Sequence, residues 1–276
     1  MSAVETAHAF ACAGERLFGL ISHPDQPGRW GAVIVVGGPQ YRVGSHRQFV
    51  LLARALARDG IPTLRFDYRG MGDATGSRQP FTDIDADIRA AIDTLHAAYP
   101  NLDGVALWGL CDAASALCFY AATDARVRGL ALANPWVRTE QGQSQAYVSH
   151  YYHQRLLSKS FWTKLFAGGI NPVRAITEFF RHRARARTRR DEGALPDRMR
   201  QGLERYAGPI LIMLSGDDLV AAEFKALIGT DPGWMTLARR CEIHAVPEAT
   251  HTFSSSVWRD EVAHRTRDWI RRLGVQ

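Results

Sequence analysis

The residues best suited to chemistry are a cysteine, an aspartate and a histidine that occur in that order along the chain. The cysteine lies in the segment Gly109-Leu110-Cys111-Asp112-Ala113, where a predicted strand must turn sharply into a helix. This placement matches a nucleophile elbow, G-x-S-x-G, with cysteine in the serine position and alanine in place of the second glycine. The N-terminus of a helix favours both a thiolate and a developing oxyanion. The alternative is a buried cysteine without chemistry, the ordinary state of a free thiol.

A thiol nucleophile needs a general base, and His251 is the candidate. It lies in a loop after the strand predicted at 241–246, which would place its imidazole over the C-terminal edge of a sheet. The acid that orients this base should follow the preceding strand, where Asp217 and Asp218 are adjacent. A solvated surface residue is the alternative for the histidine.

The loop after the strand predicted at 32–36 is the candidate for one side of an oxyanion hole. It contains Gly38-Pro39-Gln40, and the proline has no N–H to donate. Gly38 or Gln40 would therefore supply one backbone donor, and Asp112, the residue after the cysteine, would supply the other. A tight turn needed only for packing is the alternative for the glycine.

Strands that alternate with amphipathic helices must position these residues. Two N-terminal strands surround a turn at 13–16, and Ser45 is predicted to cap a helix that stops at Gly60. Further strands are predicted at 32–36, 62–66, 104–108, 127–133, 209–215 and 241–246, and further helices at 82–96, 112–122, 221–228 and 257–273. This order indicates an α/β fold with a mostly parallel central sheet and helices on both faces.

The alternation of strands and helices stops after the sixth predicted strand. We interpret residues 135–208 as a helical lid inserted into a single core made of residues 1–134 and 209–276. The insertion carries 14 Lys/Arg against 6 Asp/Glu, whereas the whole chain has a net charge of +6. Its densest basic run, 181–190, is interpreted as a solvated face, with an anionic substrate, a lipid surface or a nucleic acid as alternatives.

The lid also contains the predicted substrate-binding residues. Its arginines would meet an anionic or polar acyl carrier, and its aromatic side chains would bury the acyl group. Packing of the lid on the core is the alternative for the aromatic residues. The predicted substrate-binding residues are Arg138, Tyr151, Tyr152, Arg155 and Trp162.

The composition excludes several classes of protein. A chain of 276 residues with 46% hydrophobic content can bury a sizeable core. Its four cysteines form no C-x-x-C pair, which argues against a zinc site and a disulfide framework. The loop Asp67–Asp73 lacks the third glycine of a dinucleotide fingerprint and is interpreted as a turn with internal Asp/Arg pairing. Without a membrane-length apolar stretch or an apolar signal core, we expect a cytoplasmic protein.

Six segments of the chain carry a family resemblance: VVGGPQYRVGSHRQF, FDYRGMGD, GLCDAASA, NPWVRT, LSGDDLVAAEF and ATHTFS. They resemble the α/β-hydrolase superfamily and, more closely, the exosortase A system-associated hydrolases, type 1, of Gram-negative bacteria. The resemblance extends over nearly the whole chain, and it implies a hydrolase encoded beside genes for exopolysaccharide synthesis and protein sorting. It also implies a triad of Cys111, an aspartate and His251. Because that family places its acid directly before an apolar residue, Asp218 is favoured over Asp217.

The predicted reaction is acyl transfer to water. Cys111 would attack the carbonyl of a small-molecule or carrier-linked ester or thioester, His251 would accept and return the proton, and the aspartate would orient the imidazole. Neither a metal nor an organic cofactor is required. Acyl transfer to another acceptor, and a low-turnover binding protein on the same fold, are the alternatives. A nucleic-acid partner is disfavoured, since only the basic segment supports it.

Overall fold

The computed structural model describes residues 4–38, 40–137 and 194–274. Residues on either side of the second gap, through Val137 and from Arg198 onward, belong to one compact unit. Residues 138–197 form a second unit, of which the structure describes only 194–197. Most of the predicted lid therefore lies outside the described residues, and its boundaries stay a prediction.

The described strands form a single eight-stranded sheet. They are β1 (Val4–Cys12), β2 (Glu15–His23), β3 (Trp30–Val35), β4 (Thr63–Asp67), β5 (Gly104–Leu110), β6 (Val127–Ala133), β7 (Ile210–Asp217) and β8 (Glu242–Thr250). Their order across the sheet is β1-β2-β4-β3-β5-β6-β7-β8. β2 runs antiparallel to both β1 and β4, and the other neighbouring pairs are parallel. The predicted mostly parallel sheet is confirmed.

Helices cover both faces of this sheet. The described helices are α1 (Gln48–Arg58), α2 (Asp85–Ala98), α3 (Asp112–Tyr120), α4 (Leu195–Arg205), α5 (Leu219–Thr230), α6 (Pro232–Ala238) and α7 (Ser256–Leu273). Ala32 and Ile34 of β3 pack in one hydrophobic cluster with α1 and α7. Val33 and Val35, which point to the opposite face, are just as buried. On that face α2 contacts β3, and α3 contacts β5.

The prediction that Ser45 caps the first helix is wrong. Ser45–Arg47 form a short 3-10 turn, and α1 begins only at Gln48. The backbone N–H of Ser45 donates to the side-chain oxygen of Gln40, which holds the serine in the preceding loop. His46 and Arg47 both have a left-handed backbone, with φ of 54° and 59°, so the chain cannot continue from the serine as an α-helix.

A buried carboxylate fixes the loop that follows β3. Asp67, at the end of β4, accepts from the backbone N–H of Arg42 at 2.6 Å and also pairs with the Arg42 guanidinium. The same guanidinium lies 2.5 Å from the exposed carboxylate of Asp73. The arginine within the Asp67–Asp73 loop, Arg69, pairs instead with the buried Asp87 of α2. The prediction of Asp/Arg pairing within this loop is therefore wrong: Asp67 and Arg69 pair with Arg42 and Asp87, which lie outside it.

We expect Asp67→Ala to destabilise the protein by about 3 kcal/mol, because it leaves the largely buried guanidinium and the N–H of Arg42 without their main acceptor. Asp73→Ala is the matched control, since Asp73 contacts the same arginine but its side chain is 62% exposed. That substitution should change the free energy of unfolding by less than about 1 kcal/mol. Urea unfolding measures both values, and equal losses would contradict the role given to Asp67.

Candidate active site

The turn from β5 into α3 holds Cys111 in a strained backbone conformation. Its φ is 62° and its ψ is −124°, a region that residues with side chains rarely adopt. Its N–H donates to the carbonyl of Ala133 at the end of β6, at 2.9 Å. A Cβ on Gly109 would lie 2.9 Å from the carbonyl carbon of Ala113, which is fully buried. The small residues at these two positions therefore allow the strand and the helix to approach, as the elbow pattern requires.

The carbonyl of Cys111 is held from the helix and from the segment after β6. It accepts from the N–H of Ser115 at 3.2 Å and from that of Trp136 at 3.3 Å. The buried Ser115 hydroxyl donates to the carbonyl of Trp136 at 2.6 Å. These contacts fix the elbow against the residues that follow β6.

His251 and Asp218 meet at the same edge of the sheet. The Nδ1 atom of His251, directly after β8, lies 2.9 Å from Oδ2 of Asp218. The Asp218 side chain is only 8% exposed and also caps α5 by accepting from the N–H of Ala221 at 3.0 Å. Asp217 is exposed. The structure therefore brings Asp218, rather than its neighbour, to the histidine.

The imidazole of His251 also interacts with the side chain of Cys111. Burial alone would lower the pKa of His251, but the hydrogen bonds and charges of Asp218 and Cys111 raise this pKa to about 10. For Asp218, burial opposes ionisation, yet the hydrogen bond and charge of His251 hold the pKa of the carboxyl below its usual value. The histidine is consequently an imidazolium at neutral pH, between the sulfur of Cys111 and the Asp218 carboxylate.

A buried asparagine for which the sequence predicts no role supports the histidine. The side-chain N–H groups of Asn134 donate to the carbonyl of His251 at 2.9 Å and to the hydroxyl of Ser215 at 2.8 Å. Its oxygen accepts from the N–H of Ser215 at 2.9 Å. Asn134 has a left-handed backbone with φ of 43°. Its place at the start of the segment NPWVRT was the available signal, but the pattern does not say which backbone groups the amide would reach.

The side chain of Asp112 binds one of the predicted oxyanion donors, the backbone N–H of Gly38. The N–H of Gly38 donates to Oδ1 of Asp112 at 2.7 Å, and the N–H of Ala113 donates to the same oxygen at 2.9 Å. Burial raises the pKa of Asp112, although these backbone hydrogen bonds oppose the rise. The side-chain oxygen of Gln40 accepts from its own loop, and Pro39 lies outside the described residues. The Gly38 N–H is thus bound to a carboxylate.

The predicted substrate-binding residues, Arg138, Tyr151, Tyr152, Arg155 and Trp162, all lie outside the described residues. Cys118 is fully buried in α3, and burial raises the pKa of its thiol. Within the described ranges, no three His, Cys, Asp or Glu side chains are grouped as metal ligands, and no helix is long and apolar enough to cross a membrane.

We expect nuclear magnetic resonance of the ring nitrogens to show that His251 keeps its proton until about pH 10. Because the unfolded-state pKa is near 6.5, this proton stabilises the fold fully below about pH 6.5, and the contribution is lost as the pH rises to about 10. Asp218→Asn should lower the titration midpoint, since it removes the negative charge, whereas Asp217→Asn should leave it unchanged. A wild-type midpoint near 6.5 would contradict this electrostatic arrangement.

Comparisons with known proteins agree with this architecture. A family model described as the alpha/beta hydrolase family matches residues 28–265. Esterase Pf2001 from Pyrococcus furiosus superposes with a TM-score of 0.66 at 13% identity, covering 98% of this chain and 93% of that one. Est1E from Butyrivibrio proteoclasticus, solved with ferulic acid, has a TM-score of 0.66 at 14% identity, covering 98% of this chain and 100% of that one.

A thermostable carboxyl esterase from Bacillus coagulans, solved with glycerol, has a TM-score of 0.67 at 14% identity, covering 98% of this chain and 99% of that one. No curated protein sequence matches. These structural likenesses show the fold alone, whereas the family model covers most of the sequence. The predicted fold is confirmed, and the chain belongs to the alpha/beta hydrolase family.

Proposed function

We propose that the protein hydrolyses an ester or thioester through an acyl intermediate on Cys111. The observation that carries this proposal is the continuous contact from Cys111 through the His251 ring to the buried Asp218. A thiol at a strained elbow, beside an imidazole that a carboxylate orients, is the arrangement used for nucleophilic acyl transfer.

The proposed reaction has two halves. In the first, with the proton of the Cys111 thiol held on His251, the sulfur forms a bond to the carbonyl carbon, the bond to the alcohol or thiol leaving group breaks, and the His251 imidazolium gives that proton to the leaving group. In the second, neutral His251 takes a proton from water, and the resulting hydroxide breaks the thioester to release the acid. Asp218 keeps Nδ1 as a donor and stabilises the imidazolium throughout.

Backbone N–H groups at the start of α3 would stabilise the oxyanion in both halves. The N–H of Asp112, the residue after the nucleophile, is the donor we propose on this side. The loop after β3 approaches from the other side and would contribute the N–H of Gly38 or that of Gln40. Protein groups supply each step of the proposed reaction.

The substrate class rests on the sequence. We propose that residues 135–208 form a lid whose Arg138 and Arg155 meet an anionic or polar acyl carrier, while Tyr151, Tyr152 and Trp162 enclose the acyl group. The sequence resemblance further supports a role beside exosortase and exopolysaccharide genes. Transfer of the acyl group to an amine or hydroxyl acceptor is the alternative outcome, which product analysis with added acceptors would reveal.

Turnover of p-nitrophenyl esters and acyl-thioesters of several chain lengths tests the proposed triad. We expect Cys111→Ala to abolish hydrolysis and Cys118→Ala, its buried neighbour in α3, to retain it. Asp218→Asn should reduce kcat by on the order of 10⁴, as in a protease triad that loses its orienting acid. Asp217→Asn is the matched control and should reduce kcat less than about tenfold. If Asp217→Asn lost most of its turnover while Asp218→Asn kept it, Asp217 would be the carboxylate that orients His251.

Alkylation separates the reactive thiol from the structural ones. Burial raises the pKa of Cys12, of Cys118 and, to about 11, of Cys241. These three thiols therefore stay protonated at neutral pH and react slowly with an alkylating reagent. Cys111 lies beside the His251 imidazolium and is partly accessible. We expect iodoacetamide at pH 7 to label Cys111 first and to reduce turnover in proportion to the fraction of Cys111 that is labelled. Labelling of another cysteine with full loss of activity would refute a Cys111 nucleophile.

A further inference from the structure

We propose that Asp112 controls the rate of the proposed reaction, because its carboxylate occupies the donors that an oxyanion needs. The inference rests on the proposed function. It concerns the side chain of Asp112, whereas the mechanism above uses only its backbone N–H. Resting protein would therefore hold an anion of its own beside Cys111, and an acyl carbonyl would have to displace it.

The geometry supports competition for the same donors. One carboxylate oxygen, Oδ1, accepts from two segments of the chain: the loop after β3, through Gly38 at 2.7 Å, and the start of α3, through Ala113 at 2.9 Å. The N–H of Asp112 itself also contributes a hydrogen bond to this carboxylate. Two of these three groups, Gly38 and Asp112, are the donors predicted for the oxyanion.

The loop is built to close over the carboxylate. A Cβ added to Gly37 would lie 2.3 Å from Oδ1 of Asp112 and 2.5 Å from the carbonyl oxygen of Leu110. Only a glycine lets the backbone approach so closely, and this approach brings the Gly38 N–H to the carboxylate. Gly38 itself has a left-handed backbone with φ of 63°. The contact is therefore specified by the local sequence of both segments.

Each N–H makes one strong hydrogen bond, so the donors cannot serve the carboxylate and an oxyanion together. A bond to an ionised acceptor is about twice as strong as a neutral one, which makes the resting contact a real competitor. The positive charge of Arg78 favours the ionised form of Asp112, which keeps the competing acceptor charged.

The test is the pre-steady-state burst of p-nitrophenol from p-nitrophenyl acetate, which reports acylation of Cys111. We expect Asp112→Ala to accelerate the burst by about tenfold, a fold-change equivalent to the net worth of one displaced charge-assisted hydrogen bond. Asp112→Asn, which keeps the acceptor without the charge, should give a smaller acceleration. Asp85→Ala removes an exposed acid from the first position of α2 and should leave the burst unchanged.

An unchanged or slower burst in Asp112→Ala would overturn the inference. If the burst of Asp112→Ala is slow while that of Asp112→Asn matches the wild type, the side chain of Asp112 supports the loop and does not compete with the substrate. If Asp112→Ala does not fold, as judged by its Tm, Asp112→Asn decides alone: acceleration supports the inference and any other result overturns it. A wild-type burst that persists in Cys111→Ala would refute the proposed function instead. A burst that needs Cys111 but ignores Asp112 refutes only this inference.

Discussion

The backbone of Cys111, with φ of 62° and ψ of −124°, is the constraint on which the rest of the site depends. A residue with a side chain holds such a conformation only when its surroundings over-determine it. Here the N–H of Cys111 is bound to β6, its carbonyl to α3 and to Trp136, and small residues on both sides let β5 and α3 converge. The result is a thiol presented at the end of the sheet on a turn that cannot relax without breaking several hydrogen bonds.

The position of His251 is fixed by residues that follow the same strand, β6. Asn134, one residue after Ala133, holds the carbonyl of His251, and Trp136 holds the carbonyl of Cys111. A three-residue segment after β6 thus ties nucleophile and base to each other through the backbone. The contact between His251 and Asp218 is electrostatic. The negative charge of the buried Asp218, together with the interaction with Cys111, outweighs the desolvation of the imidazole and keeps the proton on His251.

Much of this arrangement could be predicted from local sequence. Continuous β-branched runs such as 32–36 predict strands buried on both faces, and glycine and alanine around Cys111 predict the elbow because only small side chains fit there. Asp218 was favoured over Asp217 through the family resemblance, since spacing alone does not say which carboxylate turns toward the histidine.

Contacts between segments distant in sequence could not be predicted in this way. The Asn134 amide reaches residues 81 and 117 positions away, and the Gly38 N–H meets a side chain 74 positions away. Such hydrogen bonds depend on the register of neighbouring strands and leave no periodic pattern. Ser45 fails as a cap for a local reason: the side chain of Gln40 holds its N–H in the loop, and the left-handed backbones of His46 and Arg47 prevent a helix from starting there.

The proposed function requires Cys111 to carry the acyl group. Intact-protein mass spectrometry, at short times after mixing with an activated acyl ester, measures this directly. We expect an acyl mass on the wild-type protein that maps to Cys111, decays as the free acid accumulates, and is absent from Cys111→Ala. No acyl mass during turnover, an acyl group on another residue, or an adduct that never clears would contradict it.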